Sequence, residues 1–312
     1  MTVKIIIATD SDASSRRWRD AFEGCGLDAE FFAWSRDAHP VQADYAVVWR
    51  PSADLFERED RLKAVFNLGA GVDGVMRLPN LPPRLPVVRI EDAGMASQMI
   101  EYTLHGLLRA SREFARYDEF QRAGEWAVLP SFRRDQWPVG IMGMGTIGTE
   151  IARAVARLGY AVAGWSRSPR ALDGIESFAG ARQLPAFLAR TRVLVNVLPL
   201  TADTENILDR KTLGQLLPDA YLINIARGEH VVDDDLVEML DAGRLRGAML
   251  DVFRAEPLPG DHAFWRHPKV TITPHVAAIN SKPETVAQIA GKIRAMQKNQ
   301  PVSGVVSRAL GY

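Results

Sequence analysis

The chain has almost no cysteine and no excess charge of either sign. Cys25 is the single cysteine among 312 residues, so an intrachain disulfide is impossible, which fits a reducing compartment. Lysine and arginine together number 38, as do aspartate and glutamate, so the net charge gives no reason to expect nucleic acid as a partner. We therefore expect a cytoplasmic protein that does not bind nucleic acid.

Long hydrophobic runs are also missing. The apolar run Val3–Ala8 is too short for the core of a signal peptide, and Asp10 follows it closely. No stretch of the sequence approaches the roughly 20 apolar residues of a membrane span. The sequence therefore predicts neither secretion nor a membrane partner.

What the sequence does contain is a series of short apolar runs that alternate with helical segments such as Ile147–Leu158 and Asp233–Ala242. Apolar runs without polar alternation are typical of strands buried on both faces. Their alternation with helices predicts parallel sheets built from β-α-β units. The predicted strands are Val3–Ala8, Tyr45–Trp49, Val65–Leu68, Val139–Met142, Ala161–Trp165, Val193–Leu198, Tyr221–Ile225, Ala248–Val252 and Val270–Thr273.

Two domains are predicted, because 312 residues exceed the roughly 250–300 at which a single hydrophobic core stops growing. We predict one long helix with an apolar stripe from Met95 to about Arg122, stopped by Gly124, and place the domain crossing at its start. A last helix from Ser281 to Lys298 is predicted to return to the first domain. This organisation gives a discontinuous substrate domain, residues 1–94 and 281–312, and a dinucleotide-binding domain, residues 95–280.

A GxGxxG fingerprint lies between the predicted strand Val139–Met142 and a predicted helix. In a dinucleotide site the first glycine allows a tight turn, the second lets the backbone approach the pyrophosphate, and the third permits close helix–strand packing. The helix N-terminus adds unpaired N–H groups and a positive dipole end. This context favours a cofactor site over a plain glycine-rich turn. The predicted cofactor residues in the loop are Gly143, Met144, Gly145, Thr146, Ile147 and Gly148.

The end of the next predicted strand lacks the carboxylate that NAD enzymes usually carry there. Ser166, Arg167 and Ser168 occupy this position, and the next carboxylate is Asp173. An arginine flanked by hydroxyls suits the 2′-phosphate of NADP, whereas a solvated surface arginine is the alternative for Arg167. We predict NADP as the preferred cofactor, with NAD still possible.

Polar residues follow three later predicted strands: Arg227, Glu256 and His275. Ligands of open α/β sheets bind at the carboxyl ends of the strands, so these side chains are expected to converge. For a 2-oxo acid, Arg227 can hold the carboxylate and polarise the ketone. His275 can donate a proton, and Glu256 can favour and orient the imidazolium. Each residue alone has a plainer interpretation, as a structural ion pair, a surface turn residue or a loop histidine.

Together these motifs resemble those of the D-isomer-specific 2-hydroxyacid dehydrogenase family over nearly the whole chain. Within that family they are most similar to the motifs of the bacterial reductases of glyoxylate and hydroxypyruvate. The resemblance also rests on Asn67–Asp73 and Gly247–Phe253. It implies two Rossmann-like or flavodoxin-like α/β domains with parallel sheets, an active-site cleft between the domains, and a homodimer. It implies that Arg227 binds the substrate and that His275 is the acid/base with Glu256 as its partner.

The resemblance also assigns residues outside these three. The backbone N–H groups of Ala70 and Gly71 would bind the substrate carboxylate, because small residues leave those donors exposed, although a plain tight turn is the alternative. Asp251 would contact the nicotinamide carboxamide. The remaining implied cofactor contacts are Leu198, Pro199 and Ala226.

Several other residues are candidates for a role in binding or catalysis. Trp49 and Arg50 end a predicted strand of the first domain and are candidates to restrict substrate size, but a structural aromatic beside a surface arginine explains them equally well. His230 is not assigned to catalysis, because it opens the following helix. No metal site is predicted, because no other histidine clusters with cysteine or carboxylate. These histidines are His39, His105, His262 and His267.

The predicted function is an NADPH-preferring reductase that converts glyoxylate to glycolate and hydroxypyruvate to D-glycerate. A second interpretation is an NAD-dependent dehydrogenase of D-lactate or phosphoglycerate type. The missing carboxylate after Trp165 and the absence of a C-terminal regulatory extension disfavour it. A third interpretation is a nicotinamide-sensing binding protein without catalysis, which the intact Arg227, Glu256 and His275 disfavour.

Overall fold

The computed structural model describes residues 2–312, which divide into two compact α/β units. The first unit contains the chain up to Gly94 together with Asn280–Tyr312, and the second contains Met95–Ile279. The chain re-enters the first unit at Asn280, one residue before the predicted position, and the side-chain amide of Asn280 donates to the carbonyl of Leu68. Every strand pairing within the two sheets is parallel, which confirms the predicted α/β class.

The first unit contains a five-stranded sheet in the order β2-β1-β3-β4-β5. Its central strands are buried along their whole length, as expected for β-α-β units with helices on the faces. The strands are β1 (Val3–Ala8), β2 (Ala29–Ala33), β3 (Tyr45–Val48), β4 (Ala64–Asn67) and β5 (Val87–Arg89). The helices between them are α1 (Asp12–Glu23), α2 (Asp54–Arg58) and α3 (Asp73–Met76).

The second unit contains a seven-stranded sheet in the order β12-β11-β10-β9-β6-β7-β8. Its strands are β6 (Val139–Met142), β7 (Val162–Ser166), β8 (Glu176–Ala179), β9 (Val193–Asn196), β10 (Ala220–Asn224), β11 (Leu245–Leu250) and β12 (Val270–Ile272). Its helices are α4 (Met95–Ser111), α5 (Phe114–Ala123), α6 (Thr146–Arg157), α7 (Gly180–Leu188), α8 (Arg210–Leu213) and α9 (Asp233–Asp241). Helix α10 (Lys282–Gln297) then packs against α1 in the first unit.

The sequence did not predict three of the strands, β2, β5 and β8, and all three lie at sheet edges. An edge strand is covered on fewer sides, so it does not need a continuous apolar run. Strand β8 illustrates this, because Glu176 and Ser177 are exposed. The nine predicted apolar runs all form strands, with ends that differ by a few residues.

The single helix predicted from Met95 to Arg122 is wrong. It is two helices, α4 and α5, because Glu113 adopts a left-handed conformation with φ +55° that interrupts the helical hydrogen bonds. The Glu113 carboxylate pairs with Arg116 at 3.3 Å and with Arg246 at 3.2 Å. The apolar side of α4 packs against α6 and the sheet of the second unit, whereas α5 has no buried residue. The predicted stripe is therefore mostly core.

Across residues 2–312, the structure contains no helix whose length and apolar character would allow it to cross a membrane.

Candidate active site

The fingerprint connects β6 to α6, and close backbone contacts require two of its glycines, Gly143 and Gly148. Gly143 has φ +105°, and a Cβ there would lie 2.7 Å from the carbonyl oxygen of Val197. A Cβ on Gly148 would lie 1.8 Å from the carbonyl oxygen of Gly143. In contrast, a Cβ on Gly145 would meet no protein atom within 4 Å, so open space lies in front of the N-terminus of α6. This geometry fits a pyrophosphate at the helix N-terminus.

Ser166 ends β7 and Arg167 follows it, so both lie at the carboxyl ends of the strands of the same sheet. Ser166 Oγ donates to the carbonyl of Ser168 at 2.7 Å, which holds a tight turn, and Arg167 is exposed. The indole of Trp165 donates to Gly180 O at 3.0 Å and anchors the strand end below this turn. The turn therefore presents the Arg167 cation and the Ser168 hydroxyl where a ribose phosphate would lie in a nucleotide site of this type.

The turn after β9 lies directly against the glycine loop. Val197 donates its backbone N–H to the carbonyl of Met142 at 2.8 Å, and the space beside Gly143 is filled by the backbone of Val197 and Leu198. Leu198 is buried and Pro199 is partly buried. The cofactor turn predicted at Leu198 and Pro199 is thus adjacent to the predicted pyrophosphate loop.

The predicted catalytic residues follow three strands that are neighbours in the sheet. Arg227 follows β10, Glu256 follows β11 and His275 follows β12, and the sheet order is β12-β11-β10. Parallel strands bring these loops to the same edge of the sheet. The loop of Arg227 also touches the loop of Glu256, because a Cβ on Gly228 would lie 1.9 Å from the carbonyl carbon of Phe253.

His275 and Glu256 form a direct pair. His275 Nδ1 lies 2.9 Å from Glu256 Oε2 and 3.1 Å from Oε1. Phe253 donates its backbone N–H to Glu256 Oε1 at 3.2 Å, so the carboxylate is held on both sides. Because Nδ1 faces the carboxylate, Nε2 is the ring nitrogen left for a substrate. The imidazole is about one-third exposed, with 36% of its side-chain surface accessible.

Asp251 organises the turn that carries His275. Its Oδ1 accepts from Thr273 Oγ1 at 2.6 Å and from Val276 N at 2.8 Å, and its Oδ2 accepts from Ala277 N at 2.8 Å. Its backbone carbonyl accepts from His275 N at 2.7 Å. These contacts enclose His275, whose φ of +55° is unusual for a residue with a side chain. The buried Asp251 carboxylate thus holds a strained turn in addition to the cofactor contact predicted for it.

Tyr102 on α4 extends this set of contacts. Its hydroxyl lies 2.6 Å from Thr273 Oγ1. Burial raises the pKa of the Tyr102 hydroxyl. Because Thr273 donates its one hydroxyl hydrogen to the Asp251 carboxylate, it accepts from Tyr102, and the direction of the chain of hydrogen bonds is set.

Arg227 is partly buried next to the end of β10. Its Nη1 donates to Ala226 O at 2.7 Å, and its own carbonyl accepts from Asn224 Nδ2 at 2.9 Å. The guanidinium therefore lies close to its own backbone at the edge of the sheet, where a planar fork of donors can meet a carboxylate.

Sequence reasoning missed a buried polar network beneath these loops. Asn196, Asn224 and His230 are fully buried, and their side chains hydrogen bond to one another in series. A sequence signal existed: Asn196 and Asn224 each end an apolar strand, as Asn67 does in the first unit. Burying an amide at such a position requires partners, so it marks an organised loop.

In the first unit, the predicted substrate residues lie at the ends of the neighbouring strands β3 and β4. Asn67 Nδ2 donates to the carbonyls of Gly69 and Gly71 at 2.8 Å each, which fixes the turn around Ala70. The ring of Trp49 packs on Gly69, where an added Cβ would lie 2.3 Å from it. The Arg50 guanidinium lies 5.9 Å from the centre of the Trp49 ring.

Within residues 2–312, no group of three or more histidine, cysteine, aspartate or glutamate side chains is arranged to hold a metal ion.

The second unit matches a known family model. The model is described as the NAD binding domain of D-isomer specific 2-hydroxyacid dehydrogenases, and it matches residues 104–277, which is more than half of the chain. A curated relative, the glyoxylate/hydroxypyruvate reductase A of Serratia proteamaculans, is 46% identical over 290 residues and covers 91% of this chain and 92% of its own length.

Solved structures with the same fold extend over both units. A D-isomer specific 2-hydroxyacid dehydrogenase from Xanthobacter autotrophicus, in complex with NADPH and MES, has a TM-score of 0.94, 33% identity and full coverage, 100% of each chain. An NADPH-dependent glyoxylate/hydroxypyruvate reductase from Sinorhizobium meliloti, in complex with NADP and sulfate, has a TM-score of 0.92 and 36% identity. It covers 99% of this chain and 100% of its own.

Proposed function

The chain belongs to the D-isomer specific 2-hydroxyacid dehydrogenase family, and from that premise we propose that it reduces glyoxylate to glycolate and hydroxypyruvate to D-glycerate with NADPH. The observation that carries the proposal is the pair of His275 and Glu256 at 2.9 Å, together with the contact between the loop of Glu256 and the loop of Arg227. Hydride addition to a 2-oxo acid requires an oriented acid and a cation that binds the carboxylate, and these loops supply both types of residue.

Arg227, His275 and Glu256 have separate roles in the proposed reduction. Reduced nicotinamide supplies the hydride when it is bound. Arg227 holds the substrate carboxylate with its planar fork and draws charge from the ketone oxygen, which becomes an alkoxide as the hydride arrives at carbon. His275 donates a proton from Nε2 to that oxygen, and Glu256 stabilises the imidazolium before transfer. One hydride and one proton convert the 2-oxo acid to the 2-hydroxy acid, so charge balances.

We assign the cofactor to the loop at the N-terminus of α6, where the open space before Gly145 leaves room for phosphate. Arg167 and Ser168 are proposed to bind the 2′-phosphate, because Arg167 supplies a forked cation, and Ser166 is proposed to hold their turn through its hydrogen bond to the Ser168 carbonyl. The Leu198–Pro199 turn, Ala226 and Asp251 are proposed to complete the site. The cofactors in the Xanthobacter and Sinorhizobium structures, NADPH and NADP, support this assignment.

In the first unit, we propose that the backbone N–H groups of Ala70 and Gly71 bind the substrate carboxylate. Asn67 engages the carbonyls of this turn, so its conformation is held before any ligand arrives. Trp49 lies against the same turn and Arg50 lies beside the Trp49 ring, so both are proposed to limit substrate size. A two- or three-carbon acid fits that restriction.

We also propose a cytoplasmic homodimer. The surface that supports it runs along α5 and the segment after it, where apolar side chains are exposed: Phe114, Tyr117, Trp126 and Val128. A group of apolar side chains of this size on one surface marks an interaction site, and a second copy of the chain is the commonest partner. The single cysteine is compatible with a reducing cytoplasm.

Turnover with defined substrates tests the function. Oxidation of NADPH and of NADH at 340 nm would be followed with glyoxylate, hydroxypyruvate, pyruvate and phenylpyruvate. We expect the highest kcat/KM for the first two acids with NADPH. A preference for the bulkier acids would overturn the substrate assignment, and binding of NADPH without turnover of any 2-oxo acid would indicate a sensor.

A further inference from the structure

We propose that His230 is a positioning residue that ties the substrate arginine to the cofactor turn through the buried network of Asn196 and Asn224. His230 is not near enough to solvent to act on substrate, since none of its surface is accessible. The inference rests on the proposed function through the roles assigned to Arg227 and to the Leu198–Pro199 turn.

The amide orientations in the network are determined by backbone groups. A peptide N–H can only donate, so the side-chain atoms that face Ala226 N and Leu198 N must be oxygens. These contacts are Ala226 N to Asn224 Oδ1 at 3.2 Å and Leu198 N to Asn196 Oδ1 at 3.3 Å. The remaining atom of each amide is therefore an NH2 group.

That assignment fixes the state of the histidine. Asn196 Nδ2 lies 2.9 Å from His230 Nδ1, and because the amide nitrogen donates, Nδ1 must accept. Nε2 then carries the hydrogen and donates to the carbonyl of Pro199 at 3.3 Å. The network demands a neutral imidazole with its hydrogen on Nε2.

The network forms hydrogen bonds to two loops of the site, the loop that carries Arg227 and the turn that contains Pro199. On one side, Asn224 Nδ2 donates to the carbonyl of Arg227 at 2.9 Å, and Asn196 Nδ2 supports Asn224 at 3.0 Å. On the other side, His230 holds Pro199 in the turn that packs on Gly143 of the glycine loop. His230 thus contributes one hydrogen bond toward the substrate side and a different one toward the cofactor side.

Two neutral substitutions separate these two hydrogen bonds. An asparagine can place its oxygen where Nδ1 lies, so His230→Asn keeps the acceptor for Asn196 and loses the donor to Pro199. A glutamine can place its nitrogen where Nε2 lies, so His230→Gln keeps the donor to Pro199 and loses the acceptor for Asn196. Neither substitution changes the charge near the substrate, which makes the two variants matched controls for each other.

The proposal predicts opposite losses in the two variants, measured per folded protein. In His230→Gln, we expect kcat/KM for glyoxylate to fall about tenfold, the usual scale for one buried hydrogen bond, while the NADPH Kd from fluorescence titration stays near the wild-type value. In His230→Asn, we expect the NADPH Kd to rise about tenfold, with a smaller change in the glyoxylate KM. If His230 had only a structural role, both variants would have a lower Tm, but kcat/KM for glyoxylate and the NADPH Kd would stay at their wild-type values. That result would overturn the proposal.

A measurement on the wild-type protein does not depend on how the variants fold. The ¹⁵N NMR spectrum of the imidazoles should contain the signals of a neutral histidine with its hydrogen on Nε2. These signals belong to His230 if they are absent from the spectra of the His230 variants. A hydrogen on Nδ1 would contradict the network. The titration of NADPH requires no turnover, so it tests His230 even if Arg227→Lys retains full kcat/KM and the proposed role of Arg227 fails.

Discussion

His275 Nδ1 faces Glu256 Oε2 at 2.9 Å, so the imidazole and the carboxylate form one acid–base pair whose second ring nitrogen remains available to substrate. The pair joins the loops that follow the neighbouring strands β11 and β12, 19 residues apart in sequence. The proposed chemistry depends on this pair.

Glu256→Gln should impair reduction without weakening cofactor binding. The carboxylate lies against Nδ1 of His275 and so holds Nε2 toward the substrate, whereas glutamine keeps the shape and removes the charge that strengthens this hydrogen bond. We expect kcat/KM for glyoxylate at saturating NADPH to fall by about 10–10², the scale for a hydrogen bond to a charged group, while the NADPH Kd stays near the wild-type value. Asp241→Asn, beside His267 at 3.3 Å, is the matched control and should leave kcat/KM unchanged. Wild-type kcat/KM in Glu256→Gln would remove Glu256 from the mechanism.

Arg227→Lys should impair catalysis but not cofactor binding. Lysine keeps the charge and loses the planar fork, so kcat/KM for glyoxylate should fall by about 10²–10³, the range seen when a donor to developing charge is lost. The NADPH Kd should remain near the wild-type value. Arg266→Lys changes an exposed arginine of the same unit and serves as control. Near-normal kcat/KM in Arg227→Lys would show that this guanidinium does not hold the substrate.

Arg167→Asp should shift cofactor preference toward NADH. A carboxylate at the end of β7 repels a 2′-phosphate and can accept hydrogen bonds from a ribose 2′-hydroxyl. The ratio of kcat/KM with NADPH to that with NADH should fall by at least tenfold, which corresponds to about 1.4 kcal/mol. Arg170→Asp introduces the same charge change three residues away, at another exposed arginine, and should alter the ratio less. Equal effects in the two variants would mean that general charge, not a specific contact, sets the preference.

Gly148→Ala and Gly145→Ala should fail in different ways. The added methyl at Gly148 would lie 1.8 Å from Gly143 O, so we expect a loss of stability of about 1–3 kcal/mol and a lower Tm. The methyl at Gly145 meets no protein atom within 4 Å, and its φ of −74° suits alanine, so the Tm should not change. The NADPH Kd should nevertheless rise in Gly145→Ala, because the methyl would project into the open space proposed for the phosphates. Wild-type NADPH binding by this variant would place the pyrophosphate elsewhere.

The proposed homodimer should depend on the exposed surface after α5. Sedimentation equilibrium of the wild-type chain should give twice the chain mass of 34.5 kDa. Trp126→Ser removes a side chain that is 100% exposed in the single chain, so it should leave the fold intact and weaken the dimer. Trp265→Ser, at a tryptophan that is 51% exposed outside this segment, should not. A wild-type monomer at micromolar concentration would reject the dimer.

Much of the fold could be read from local patterns. Buried strands such as β6 and β9 have continuous apolar runs because both of their faces are covered. The family, and with it the reductase chemistry, followed from motifs of a few residues each. The break between α4 and α5 could not be predicted, since Glu113 is an ordinary helix former. Its left-handed conformation accompanies ion pairs that include Arg246, a residue distant in sequence.

The sequence by itself determined the glycine loop and the types of residue proposed for the chemistry, because a tight turn and a proton donor each require particular residue types at particular positions. Only the tertiary structure decided what supports them. Asn196 and Asn224 meet because β9 and β10 pair in register, 28 residues apart, and His230 closes the network from a third segment. Such contacts depend on the order of the strands in the sheet, and the spacing of residues within a short stretch of sequence does not determine that order.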